Sequence, residues 1–126
     1  MRQTMVDARE QIHTALAALD TTVPYTLRGR YPKGTAEGNV ITWAEYSNVS
    51  TDCPVVDQIS FQVDLWTQTP EERRALAEAV NRAMCGIGLR RTYAGMDGYD
   101  ENTGGYYRKT FRFGRKVDKR WGRLMD

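Results

Sequence analysis

Between Gln58 and Thr67 the side chains alternate without a break: Ile59, Phe61, Val63 and Leu65 against Ser60, Gln62, Asp64 and Trp66. A period of two marks a strand with one face on a core and the other more polar. Helix-start signals follow directly in Thr69-Pro70-Glu71-Glu72. Thr69 suits the N-cap, Pro70 the first helical position, and Glu72 completes a capping box. Leu76, Val80, Ala83, Met84 and Ile87 then recur as a buried stripe, with Arg73, Arg74, Glu78 and Arg82 largely toward water. Gly86 or Gly88 suits the left-handed residue that closes such a helix. A half-buried strand running straight into an amphipathic helix restricts the chain to a sheet with helices laid on it.

The remaining segments fit that frame. Met5, Ala8, Ile12, Ala15, Leu16 and Leu19 form one stripe of an opening helix from about Thr4 to Leu19, with Thr4 as N-cap and Asp7 in the first turn. Pro24 closes the way to further helix. Short strands are expected over 25–30, 40–46 and 89–94, and a last one over 106–113, with Tyr107, Phe111 and Phe113 on one side. The connections at 31–39, 47–56 and 95–105 are rich in turn formers. The predicted fold is α+β, order α-β-β-β-α-β-β, with two helices on one face of a mostly antiparallel sheet of about four to five strands. With 126 residues this is one domain, spanning 1–113, followed by a basic tail over 114–126.

The formal net charge of +2 hides an asymmetry. Residues 1–107 carry 10 Lys and Arg against 14 Asp and Glu, a net of −4. Residues 108–126 carry eight cations against two carboxylates, a net of +6. A basic end on an acidic body points to contact with nucleic acid or an acidic protein surface, or to a solvated terminus. Arg115, Lys116, Lys119, Arg120 and Arg123 are the candidate partner or anion contacts. Cys53 and Cys85 form no CxxC pair and are expected to be reduced thiols. No apolar run approaches the ~20 residues of a membrane span, and the N-terminus lacks a signal-peptide core, so a cytosolic protein is expected.

Residues for catalysis are scarce. His13, the single histidine, has no nucleophile or orienting acid near it in sequence. One His with two separated Cys falls short of a zinc set. The spacing of Asp97, Asp100, Glu101 and Asn102 departs from a calcium loop and reads as a hairpin turn. Gly86 and Gly88 follow a helix rather than open one, so they make no phosphate cradle. Accordingly no catalytic, cofactor-binding or metal residue is assigned, no cofactor is implied, and no enzyme is expected.

With both helices on one sheet face, the other is left uncovered. It carries Trp66 and, depending on register, Trp43, alongside Gln62 and Asp64. A large aromatic on an otherwise polar face fits burial against a partner, or a single half-exposed side chain. These four residues are the candidate oligomer contacts.

The order of elements resembles the tail-terminator (tail-completion, head–tail joining) proteins of long-tailed bacteriophages. The residues that carry the resemblance are Val6–Ile12, the Tyr31-Pro32 loop, Ile59–Thr67 into Glu72–Val80, the exit Gly88-Leu89-Arg90-Arg91, and the strand Tyr106–Phe113. It implies a virion structural protein without catalysis, made late and assembled in the host cytoplasm. Such a protein forms a ring of copies of itself, commonly a hexamer, at the head-proximal end of the tail. The ring stops polymerisation of the major tail-tube protein and meets a neck or head-completion protein. DNA passes through it without specific binding, and no membrane is involved. On this resemblance the uncovered sheet face and a sheet edge form the subunit contact. A head-completion or neck connector protein, and a small nucleic-acid-binding module acting through the basic tail, are the alternatives.

Overall fold

The computed structural model describes residues 7–29, 38–53, 55–101 and 105–118. Its elements are α1 (Arg9–Ala17), β1 (Thr26–Arg28), β2 (Val40–Ser50), β3 (Val56–Thr67), α2 (Pro70–Gly86), β4 (Arg90–Ala94), β5 (Gly98–Asp100) and β6 (Tyr106–Asp118). One sheet runs in the order β1-β2-β3-β6-β4, with β5 also paired to β6. The class is α+β, as expected. The sheet differs in two respects: among the described residues it has six strands, and it is mixed because β1 lies parallel to β2.

The alternation of β3 is what places the core. Ile59, Phe61, Val63 and Leu65 are buried in one cluster with Ile12 and Leu16 of α1 and Leu76, Ala79, Val80 and Met84 of α2. Ile41 of β2 and Phe111, Phe113 and Val117 of β6 join them. Both helices therefore cover the same sheet face.

α2 begins where its cap residues predict. The Thr69 hydroxyl accepts the Glu72 amide at 3.1 Å, and Pro70 opens the helix. Glu72 completes the box only in part. Its Oε1 accepts from the Thr69 hydroxyl at 3.0 Å, while Oε2 accepts from Asn39 Nδ2 at 2.7 Å. Asn39, 6% exposed, also donates to the Pro24 carbonyl at 3.1 Å and accepts the Gln68 amide at 2.9 Å. One side chain thus ties the approach to β1, the start of β2 and the entry to α2. At the other end of α2, Gly88 takes φ +94°, so it is Gly88 that turns the chain out of the helix.

α1 is shorter than its apolar stripe, and the expected N-cap Thr4 lies outside the described residues. Here Asp7 does the N-terminal work, accepting the Arg9 amide at 3.1 Å. β6 is longer than expected. It runs five residues past Phe113, so Gly114, Arg115, Lys116, Val117 and Asp118 belong to the sheet rather than to a tail. Gly114 sits opposite Ser60, where an added Cβ would lie 2.6 Å from the Ile59 carbonyl oxygen. That strand pair closes only around a residue with no side chain.

Candidate interaction surface

The sheet face away from the helices is built by alternate residues of β2, β3 and β6. Thr42 faces Asp64 and Ala44 faces Gln62 across β2 and β3. Trp66 faces Arg108, Asp64 faces Thr110, and Gln62 faces Arg112 across β3 and β6.

This arrangement corrects the expectation of an exposed tryptophan. Trp66 is 1% exposed and packs with Val40 and Tyr106 in a second small cluster. Its indole N–H donates to the Thr42 hydroxyl at 3.2 Å, and the Tyr106 ring meets it edge-on at 6.3 Å. The Arg108 guanidinium covers the ring from outside, 4.3 Å from its centroid. Arginine does this well because its plane is weakly hydrated and stacks on aromatics. Trp43 is not on this face at all. Opposite Val63, it lies half-buried on the helix side, between Phe61 at 6.3 Å and His13 at 6.4 Å.

Asp64 is buried, which a lone carboxylate does not tolerate. Its partners explain it: Arg108 Nη2 at 3.2 Å, the Thr110 hydroxyl, and Gln62 Nε2 at 3.1 Å. Gln62 then accepts from Arg112 Nε at 3.1 Å. Asp64 and Gln62 are thus the inner links of a polar chain from Trp66 to Arg112.

The outer end of that chain is open. The Arg112 guanidinium lies over the Tyr46 ring at 4.1 Å and the Tyr93 ring at 5.1 Å. Both tyrosines are exposed, at 54% and 47%. Each comes from a β-bulge: β2 slips its register between Glu45 and Ser47, and β4 slips between Arg91 and Tyr93. Without the second slip Tyr93 would oppose Phe111 and share the helix side. Re-aiming one side chain is what bulges do. Sequence reasoning missed both tyrosines because a bulge leaves no mark in an alternating pattern this short.

The candidate cations divide. Arg115 lies on the helix side, opposite Ile59, with its guanidinium directly over Gly88. There it faces the C-terminal end of α2, where positive charge is favoured. Lys116 is exposed on the open face, opposite Gln58. Lys119, Arg120 and Arg123 lie outside the described residues.

The acidic connection is held down by cations. Asp97 accepts from Lys109 Nζ at 2.9 Å and lies 3.4 Å from Arg73. The hydrogen bond from Lys109 holds its carboxyl below the usual carboxylate range. Arg73, expected to face water, also donates to the Gly98 carbonyl at 2.9 Å. Asp100 lies 3.9 Å from Arg108. Among the described residues no three His, Cys, Asp or Glu side chains converge as metal ligands, and Cys53 and Cys85 are free and exposed. Among the described residues no helix is long and apolar enough to cross a membrane. The face offers stacked rings, a fixed guanidinium and a lysine.

A family model described as tail completion protein gp17 matches residues 10–114, from the start of α1 into β6. The chain belongs to this tail completion family. No curated protein matches it. The tail completion match takes in α2, all of α1 but its first residue, the core apart from Ala8 and Val117, and Tyr46, Tyr93 and Arg112 of the open face. Membership gives the chain a part in completing a bacteriophage tail, in the virion and among its other tail and head proteins.

Proposed function

We propose that the chain is a tail terminator: a ring of identical subunits that caps the head-proximal end of the tail tube and stops its growth. The match to the tail completion family over residues 10–114 carries this reading. Size agrees with it. A 126-residue domain has a radius of gyration of about 14 Å, which makes a sphere roughly 36 Å across. Four touching spheres leave a hole of about 15 Å, and six leave about 36 Å. Duplex DNA is roughly 20 Å wide, so a ring that passes it needs at least five such subunits; the proposed number is six. Its partners are then further copies of itself, the major tail-tube protein and a neck protein.

Native mass spectrometry of the full chain, alone and mixed with tail tubes, tests the assembly. A cyclic oligomer, formed alone or on tube ends, is the expected result. A chain that stays monomeric at every concentration and ignores tube ends overturns the reading.

A further inference from the structure

Arg112 differs from the other cations of the open face in how it is held. Its Nε is fixed by Gln62, and Tyr46 and Tyr93 confine its guanidinium. Among the described residues its two terminal nitrogens have no hydrogen-bond partner, nor are they buried. A guanidinium in that state has lost its rotamer freedom before anything binds, and it presents a parallel pair of N–H donors suited to one carboxylate. Exposed tyrosine around arginine is also the composition of an interface hot spot. Val49 lies half-exposed on the same face, opposite Gln58.

The charge nearest to Arg112 is mostly positive, with Asp100 beside Arg108 and Asp118 two residues beyond Lys116. Arg90 and Lys116 are exposed on this face, opposite Gly114 and Gln58. Asp64 is already matched by Arg108, and Asp118 stands at the far end of β6. The complementary charge is on the opposite side of the molecule. Glu10 in the first turn of α1 and Glu45 on β2 are both exposed there; Glu45 lies within electrostatic reach of Arg9, and Glu10 has no ion pair or hydrogen bond among the described residues. Asp7 lies near Glu10, bonded to Arg9.

We propose that the Arg112–Tyr46–Tyr93 clamp docks a helix-side carboxylate of a second copy, Glu10 or Glu45. The inference rests on the self-assembly reading above and names its contact. A basic patch on one face meeting an acidic patch on the other is a head-to-tail contact. Repeated, it closes into a ring or runs on as a filament.

The test is a charge exchange in the full chain, read by native mass spectrometry and by light scattering across concentration. R112E raises the concentration needed for assembly about thirtyfold or more, the scale of a hot-spot loss. R112K keeps the charge but loses the flat stack, and gives a smaller rise. Combining R112E with E10R and E45R brings assembly back toward the parent. Circular dichroism identifies any variant that fails to fold, and for such a variant E10R/E45R alone carries the test and must weaken assembly. Oligomers of R112E forming at the parent concentration overturn the proposal. So does a loss of salt-sensitive DNA binding in R112E with assembly unchanged, which makes the clamp a phosphate contact. A parent chain that never assembles removes the self-assembly reading itself, a result distinct from either.

Discussion

Arg108 stands over Trp66, its guanidinium carbon 4.3 Å from the indole centroid, and from there reaches Asp64 at 3.2 Å. One side chain seals the largest aromatic of the open face and neutralises the carboxylate beside it. Among the described residues the open face therefore has no bare tryptophan, and what it offers a partner is polar and aromatic at its edges.

Replacing Arg108 by Ala uncovers both groups. Asp64 keeps its bonds to Thr110 and Gln62, so the expected loss is about 2 kcal/mol rather than the full cost of an unpaired buried charge. Denaturant unfolding reads the stability, and stronger iodide quenching of tryptophan emission reads the exposed indole. Arg108→Lys keeps the charge but not the stack, and falls between the two.

Asn39 is the next weak point. Asn39→Ala leaves the Gln68 amide and Glu72 Oε2 without their partner, a loss of about 1–3 kcal/mol. Asn39→Asp puts a second carboxylate against Glu72. Its penalty is largest at neutral pH and shrinks as acid protonates one of the pair, which urea melts at pH 4 and pH 7 compare directly.

Two glycines give opposite signs. At Gly114 a methyl group meets the Ile59 carbonyl at 2.6 Å, so Gly114→Ala costs about 1–3 kcal/mol through forced strand movement. Gly86 ends α2 with nothing within 4 Å of an added Cβ, and Gly86→Ala gains about 0.5 kcal/mol. Paired thermal melts separate them.

Asp97 fixes the sign of one pH effect. Lys109 lowers its carboxyl in the folded chain, so the contribution is present above the unfolded carboxylate value. It is lost as pH falls through the lowered one. The carboxylate is largely exposed and salt screens it, so the size is at most about 1 kcal/mol. Asp97→Asn abolishes this part of the acid dependence, visible as a flatter stability profile below pH 4.

What could be read in the sequence follows from which signals are local. The β3 alternation and the Thr69-Pro70 cap are local, and both give the right element on the right face. The parallel pairing of β1 depends on a connection with no periodicity, and nothing nearby specifies it. The extent of β6 was hidden because Gly114 and three neighbouring charges look like a terminus. In the sheet that glycine is required by the close Ile59 carbonyl, and Arg115 is drawn over Gly88. The alternation of β3 puts Trp66 on the correct face, but its cover comes from Arg108, forty-two residues away in sequence. The clamp at Arg112 depends on two register slips, which only the paired strands reveal.

The most direct measurement for the account as a whole is the length of tail tubes assembled with and without this chain, counted by electron microscopy. Added to growing tubes, the chain should arrest elongation and leave a ring on one end, while tubes lacking it run past normal length. Tubes of the same length distribution in both cases, with bare ends, would contradict the claim that it terminates the tail.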